Sequence, residues 1–125
     1  MKPFCEIIVS SVLPSIRSLI AKELVMSYNL TQEEAAKLLG LTQAAISQYY
    51  RESRGRKVKL LENNRKVIRM VKELGKKIVE ERIDVIKIQK EFCRICKEVR
   101  KEKIICKLHK DIYPSITSCK ECPIC

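Results

Sequence analysis

The chain has no tryptophan, a single histidine, three glycines and four prolines. Nowhere does it reach the roughly 20 consecutive apolar residues that a membrane-spanning helix requires. Alternation of apolar and polar residues over a strand's length is hard to find, which excludes a sheet-based architecture and leaves helical periodicity as the organising pattern. Internal repeats and low-complexity tracts are absent. The early apolar stretch from Ile7 to Leu13 is short, contains two serines and ends at Pro14. It is a poor export signal, so the expected location is cytoplasmic and no membrane partner is expected. Acidic residues are in deficit: 15 against 26 basic residues, a formal net charge of +11 on 125 residues. Such a surplus concentrates polyanions near the surface, and nucleic acid is the usual one. Asparagine and glutamine are scarce while Lys, Ile and Glu are abundant, a bias shared with thermophile proteins.

What is present is a succession of helices. The first is expected over Cys5 to Val12. Pro14 suits the first turn of a second, which runs to about Tyr28 with Ile16, Leu19, Ile20 and Leu24 on its buried stripe. Asn29 ends it. Thr31-Gln32-Glu33-Glu34 is a capping box. Gly40 interrupts the helix that follows, and Thr42 caps the next, from Gln43 to about Glu52. Gly55 is expected to stop that helix inside the basic segment Arg51, Arg54, Arg56, Lys57 and Lys59. A longer helix is expected from about Lys59 to Glu81. In it Leu60, Asn64, Val67, Val71, Leu74 and Ile78 form a four-three seam, with Asn64 as a register device. This seam either covers the chain's own core or joins two copies, and a homodimer is expected. Asp84 can cap a last helix carrying Val85, Ile88 and Phe92. The expected fold class is all-α: a helix-turn-helix bundle over residues 1–58, a helical linker or dimerisation segment over 59–92, and a cysteine-rich metal-binding tail over 93–125.

The segment QEEAAKLLGLTQAAISQYY meets the demands of a helix-turn-helix. Two helices that cross closely need a small residue at the contact, here Ala36. A tight turn needs a residue that tolerates positive φ, here Gly40. Ile46 is the apolar anchor six residues later, with Leu39, Leu41 and Tyr49 completing the inner face. Over residues 13 to 55 this register resembles the phage-repressor and Cro-like (XRE-type) helix-turn-helix family. By that resemblance the second helix lies in the major groove of double-stranded DNA. Gln43, Ala44, Ser47 and Gln48 then face base edges with Thr42 beside them, and Gln32 contacts phosphate. Glutamine can bond adenine through two hydrogen bonds, and alanine can touch a thymine methyl. Arg51, Arg54, Arg56 and Lys57 suit backbone phosphates by their charge.

Six of the seven cysteines are spaced C-x2-C-x9-C-x12-C-x2-C-x2-C, at Cys93, Cys96, Cys106, Cys119, Cys122 and Cys125. Two intervening residues let both sulfurs reach one centre. Three readings stay open: an iron–sulfur cluster, including the four-iron four-sulfur form; structural zinc held by four thiolates, or by three and His109; and a thiol switch or disulfides. Neither C-x2-C site shows the glycine that commonly finishes a zinc-ribbon knuckle. Cys5, beside Phe4 and Ile7, suits a small buried apolar position.

The opening KPFCEIIVSSVLPSIRSLIAKELVMSYNLTQEEAAKLLGLTQAAISQYY, then EFCRIC, ICKLHKDIYP and the terminal cysteines together resemble a group of archaeal proteins predicted to be transcriptional regulators. That resemblance implies a transcriptional regulator that joins this helix-turn-helix to a cysteine-bearing C-terminal region. The clustering of cysteines beside the expected dimer helix adds the expectation of a metal centre that senses redox or iron state. An antitoxin-like module that binds DNA and a partner protein, with a purely structural zinc, is the alternative. A dithiol enzyme or electron carrier is disfavoured, because no strand precedes the C-x2-C motif.

Overall fold

The computed structural model describes Glu6 and residues 8–101. The described chain is all-helical, and no strand occurs among these residues. None of its helices is long and apolar enough to cross a membrane.

A π-helical turn over Ile8–Val12 runs directly into α1, Leu13–Ser27. Two separate helices were expected here. No break forms because Val12 stays in right-handed helical conformation, at φ −74° and ψ −53°. Pro14 also falls in the first turn of α1, where a missing N–H removes little. The Ser15 hydroxyl donates to the Ser11 carbonyl across the junction. Asn29, at φ 53°, turns the chain out of α1.

α1 is apolar on almost every side, the pattern of a helix surrounded by others rather than lying on a surface. Ile16, Leu19, Ile20, Ala21 and Leu24 are all buried. α2 (Gln32–Leu39), α3 (Gln43–Glu52), α4 (Arg56–Glu62), α5 (Arg65–Val79) and α6 (Val85–Lys101) each pack against α1. Gly75 of α5 packs close to it: a Cβ there would meet Glu23 Cγ at 2.9 Å.

The single long helix expected from Lys59 to Glu81 is two helices, α4 and α5. The break lies at Asn63 and Asn64. The Asn64 side-chain oxygen accepts from the amides of Lys66 and Val67 at 3.0 and 3.1 Å, so this residue caps α5. Asparagine competes with the helical backbone for such bonds and favours the cap over the interior. Asn64 is therefore a helix start rather than a register device. The seam is also occupied: Val67, Val71, Leu74 and Ile78 are buried in the chain's own core. Gly55 differs from expectation too. Its backbone is extended, φ −71° and ψ 160°, and it opens α4 rather than closing α3. Ser53 closes α3 instead, its amide donating to the carbonyls of Tyr49 and Tyr50.

α5 and α6 form an antiparallel pair, with Arg82 at φ 51° in the connection. Ion pairs follow that arrangement: Lys77 with Glu91 at 3.5 Å, and Lys66 with the mostly buried Glu98 at 3.0 Å. Asp84 caps α6 as expected, accepting from the Lys87 amide at 2.8 Å. The expected boundaries at 58/59 and 92/93 fall inside α4 and α6.

If Asn64 acts as a cap, replacing it by Ala should lower stability by about 1 kcal/mol, while Asp should retain most of it. Urea unfolding of the two variants checks this. The oligomeric state by light scattering should be the same in both.

Candidate nucleic-acid interface

The capping box at the start of α2 forms as the sequence indicates. The Thr31 hydroxyl oxygen accepts from the Glu34 amide at 3.1 Å, and the Glu34 carboxylate accepts from the Thr31 amide at 3.3 Å. At the other end, Gly40 is left-handed at φ 68° and ψ 33°. Its amide donates to the Lys37 carbonyl, and the Leu41 amide donates to the Ala36 carbonyl at 2.9 Å. These two bonds make a Schellman closure, which needs a residue that adopts positive φ without strain. Two residues on, the Thr42 hydroxyl oxygen accepts from the Ala45 amide at 3.1 Å and starts α3. The turn is thus specified by local hydrogen bonds at both of its ends.

Ala35, Ala36 and Ile46 are buried where α2 and α3 meet each other and α1. Tyr50 ties the end of α3 to the end of α1, its hydroxyl donating to Met26 Sδ at 3.2 Å. Leu39 and Tyr49 are half-buried against the core. Leu41, expected on the inner face, is 42% exposed. The Schellman turn carries it to the rim of a cleft whose walls include Leu39, Tyr49 and Ile88.

With the inner face pinned, the outer face of α3 is open. Thr42, Gln43, Ala44 and Gln48 are exposed and Ser47 is half-buried. Positions 43, 44, 47 and 48 share one helical face by spacing. The first-turn amides of α3 lie at the same end and add partial positive charge. Gln32, the first residue of α2, is half-buried; Arg51, Arg54, Arg56 and Lys57 are exposed, on the last turn of α3, the connection and the first turn of α4. The fold therefore brings the base-facing candidates onto one ridge and places the basic candidates at its C-terminal end.

Glu52 was not singled out in the sequence. Its carboxylate accepts from Gln48 Nε2 at 3.1 Å, one helical turn away. The i, i+4 spacing on α3 was the available signal. This bond leaves Gln48 one amide N–H and its carbonyl oxygen, still enough for a two-bond contact with adenine.

Of the cysteines, Cys93 and Cys96 lie in the middle of α6, Cys93 exposed and Cys96 buried. Spacing of three residues on a helix puts both on one side. Among the described residues no third His, Cys, Asp or Glu joins them in a group that could hold a metal. Cys5, Cys106, His109, Cys119, Cys122 and Cys125 lie outside the described residues. The described residues thus supply two thiols on one side of α6, one exposed and one buried.

Residues 20–59 match the model of a family described as Helix-turn-helix. The match spans the second half of α1, α2, α3 and the first turn of α4, and supports a DNA-binding regulator of the repressor and Cro (XRE) type. No match was found among curated proteins or among solved structures.

Gly40→Ala should destabilise the chain by about 1–2 kcal/mol, because an L-residue is strained at this φ. The added Cβ would also stand 3.2 Å from Val85 Cγ2. Thermal unfolding of the variant measures the sum.

Proposed function

We propose that the chain is a sequence-specific, double-stranded-DNA-binding transcriptional regulator that acts in the cytoplasm without enzymatic chemistry of its own. The observation that carries the reading is the exposed ridge of Gln43, Ala44, Ser47 and Gln48 on α3. It stands on a turn closed by Gly40 and anchored by buried Ala36 and Ile46. In this reading α3 enters the major groove, Gln43 and Gln48 read base edges, and Arg51, Arg54, Arg56 and Lys57 hold backbone phosphates. The net charge of +11 favours the encounter.

The regulator acts as a homodimer on two half-sites. Because the apolar residues of α5 are consumed in the chain's own core, the dimer contact uses another surface. Cys93 and Cys96, together with Cys106, Cys119, Cys122 and Cys125, hold a zinc ion or an iron–sulfur cluster that reports redox or iron state. When bound, such a centre supplies thiolate crosslinks; the chain's own part is to present the first pair of sulfurs from one side of a helix.

Selection from a randomised duplex pool, followed by binding titrations on the selected sequence, tests the DNA reading. Gln43→Ala or Gln48→Ala should cost about 1–3 kcal/mol at one base position and relax the preference there. Equal losses on selected and random duplexes would show that these side chains do not read sequence. Arg54→Ala and Lys57→Ala should instead weaken binding on all sequences and reduce the salt slope by about one each.

A further inference from the structure

The start of the chain and α6 enclose a cleft of about 620 Å³. Small-molecule sites span about 300–1,000 Å³ and combine apolar walls with a few convergent polar groups. This cleft has both. Ile8, Val9 and Leu13 on one side and Phe92 on the other are apolar. Val9 is 64% exposed, so much of that wall still lies open. Arg17, Lys97 and Arg100 bring three positive charges to the same space, and no Asp or Glu lines it.

The nearby carboxylates of α6 are engaged elsewhere: Glu91 with Lys77 and Arg94, and Glu98 with Lys66. No ion pair joins Arg17, Lys97 or Arg100 to another described residue. Arg100 Nε is moreover buried with no hydrogen-bond partner. A buried donor left unpaired costs free energy, which a ligand that accepts from it would recover. The Arg17 guanidinium rests over the Phe92 ring, 5.7 Å from its centroid. That contact holds the cation by its face and leaves the N–H groups at its edge to donate.

We infer that this cleft is a binding site for a small amphipathic carboxylate. Arg100, with Arg17 and Lys97, holds the anionic head, and Val9, Leu13 and Phe92 cover the apolar body. A small inorganic anion would satisfy the cations and leave the apolar wall wet. An uncharged apolar molecule would cover the wall and leave Arg100 Nε unpaired. A carboxylate on an apolar body does both, since a guanidinium fork matches the two carboxylate oxygens. The cleft shares no residue with the base-facing ridge of α3, and the inference does not rest on the DNA reading.

The test is isothermal titration calorimetry of the full chain with decanoate, held below its micelle threshold, which should show a saturable site. Decanol has the same body without the charge, and acetate has the charge without the body. Each should bind about tenfold or more weakly. Arg100→Met keeps an apolar stem and removes the donors to the head. Val9→Glu sets a negative charge at the cleft from an exposed position, which leaves the core intact. Both should weaken decanoate about tenfold or more. Lys87→Met, on the same helix outside the cleft, should bind as wild type. A diazirine analogue of decanoate should crosslink within residues 8–17 or 89–100, and excess decanoate should prevent it.

Decanol binding as tightly as decanoate overturns the inference, because the cations would then contribute nothing. Crosslinks confined to other parts of the chain overturn it too, as does full affinity in both Arg100→Met and Val9→Glu. A titration without saturable decanoate binding refutes the site outright. None of these outcomes bears on whether the chain selects a duplex.

Discussion

The burial of α1 is the constraint on which the rest of the described structure depends. Its apolar residues occur on nearly all sides, so no single partner helix can cover it. α2 and α3 cover one part, α4 and α5 another, and the N-terminal end of α6 closes the remaining gap around Ile20 and Ile88. Each partner is amphipathic and turns its polar face outward. The exposed side of α3 is thus a by-product of packing: once Ile46 is drawn into the core, Gln43, Ala44 and Gln48 have no choice but to face solvent.

This arrangement divides the labour between backbone and side chains. The turn between α2 and α3 is built from main-chain bonds, one left-handed glycine and the Thr42 cap, so its geometry does not depend on the side chains at 43, 44, 47 and 48. The display itself can vary in sequence without disturbing the turn. What does bear on the turn is α6, through Val85 and Ile88. The turn of the helix-turn-helix is thus packed by a helix that carries two thiols in its middle.

Local chemistry made much of this visible beforehand. Thr31 with Glu34, Gly40, Thr42 and Asp84 each act through bonds within three or four residues, and each does in the structure what its position indicates. Ala36 and Ile46 were readable for a related reason: the small-residue, glycine and anchor spacing admits few other packings. Errors arose where two local options were close in energy. Asn64 fits an apolar seam only at a cost, and it fits a helix cap at none, so the chain breaks there and α4 and α5 separate. Gly55, expected to end α3, has a negative φ and opens α4, since Ser53 already closes α3. Leu41, expected on the inner face, is directed by the Schellman closure to a cleft rim.

By itself, the amino-acid sequence determined the helical class, the caps, the helix-turn-helix register and the positive charge, since all of these follow from residue type at short separation. Only the tertiary structure decided which apolar stripe each helix satisfies. The α5 seam is spent on the chain's own core because α1 needs covering there. Only the tertiary structure also placed Val85 on Gly40, 45 residues apart in sequence. Contacts of that kind depend on how several helices close around one another, which no local pattern in the chain encodes.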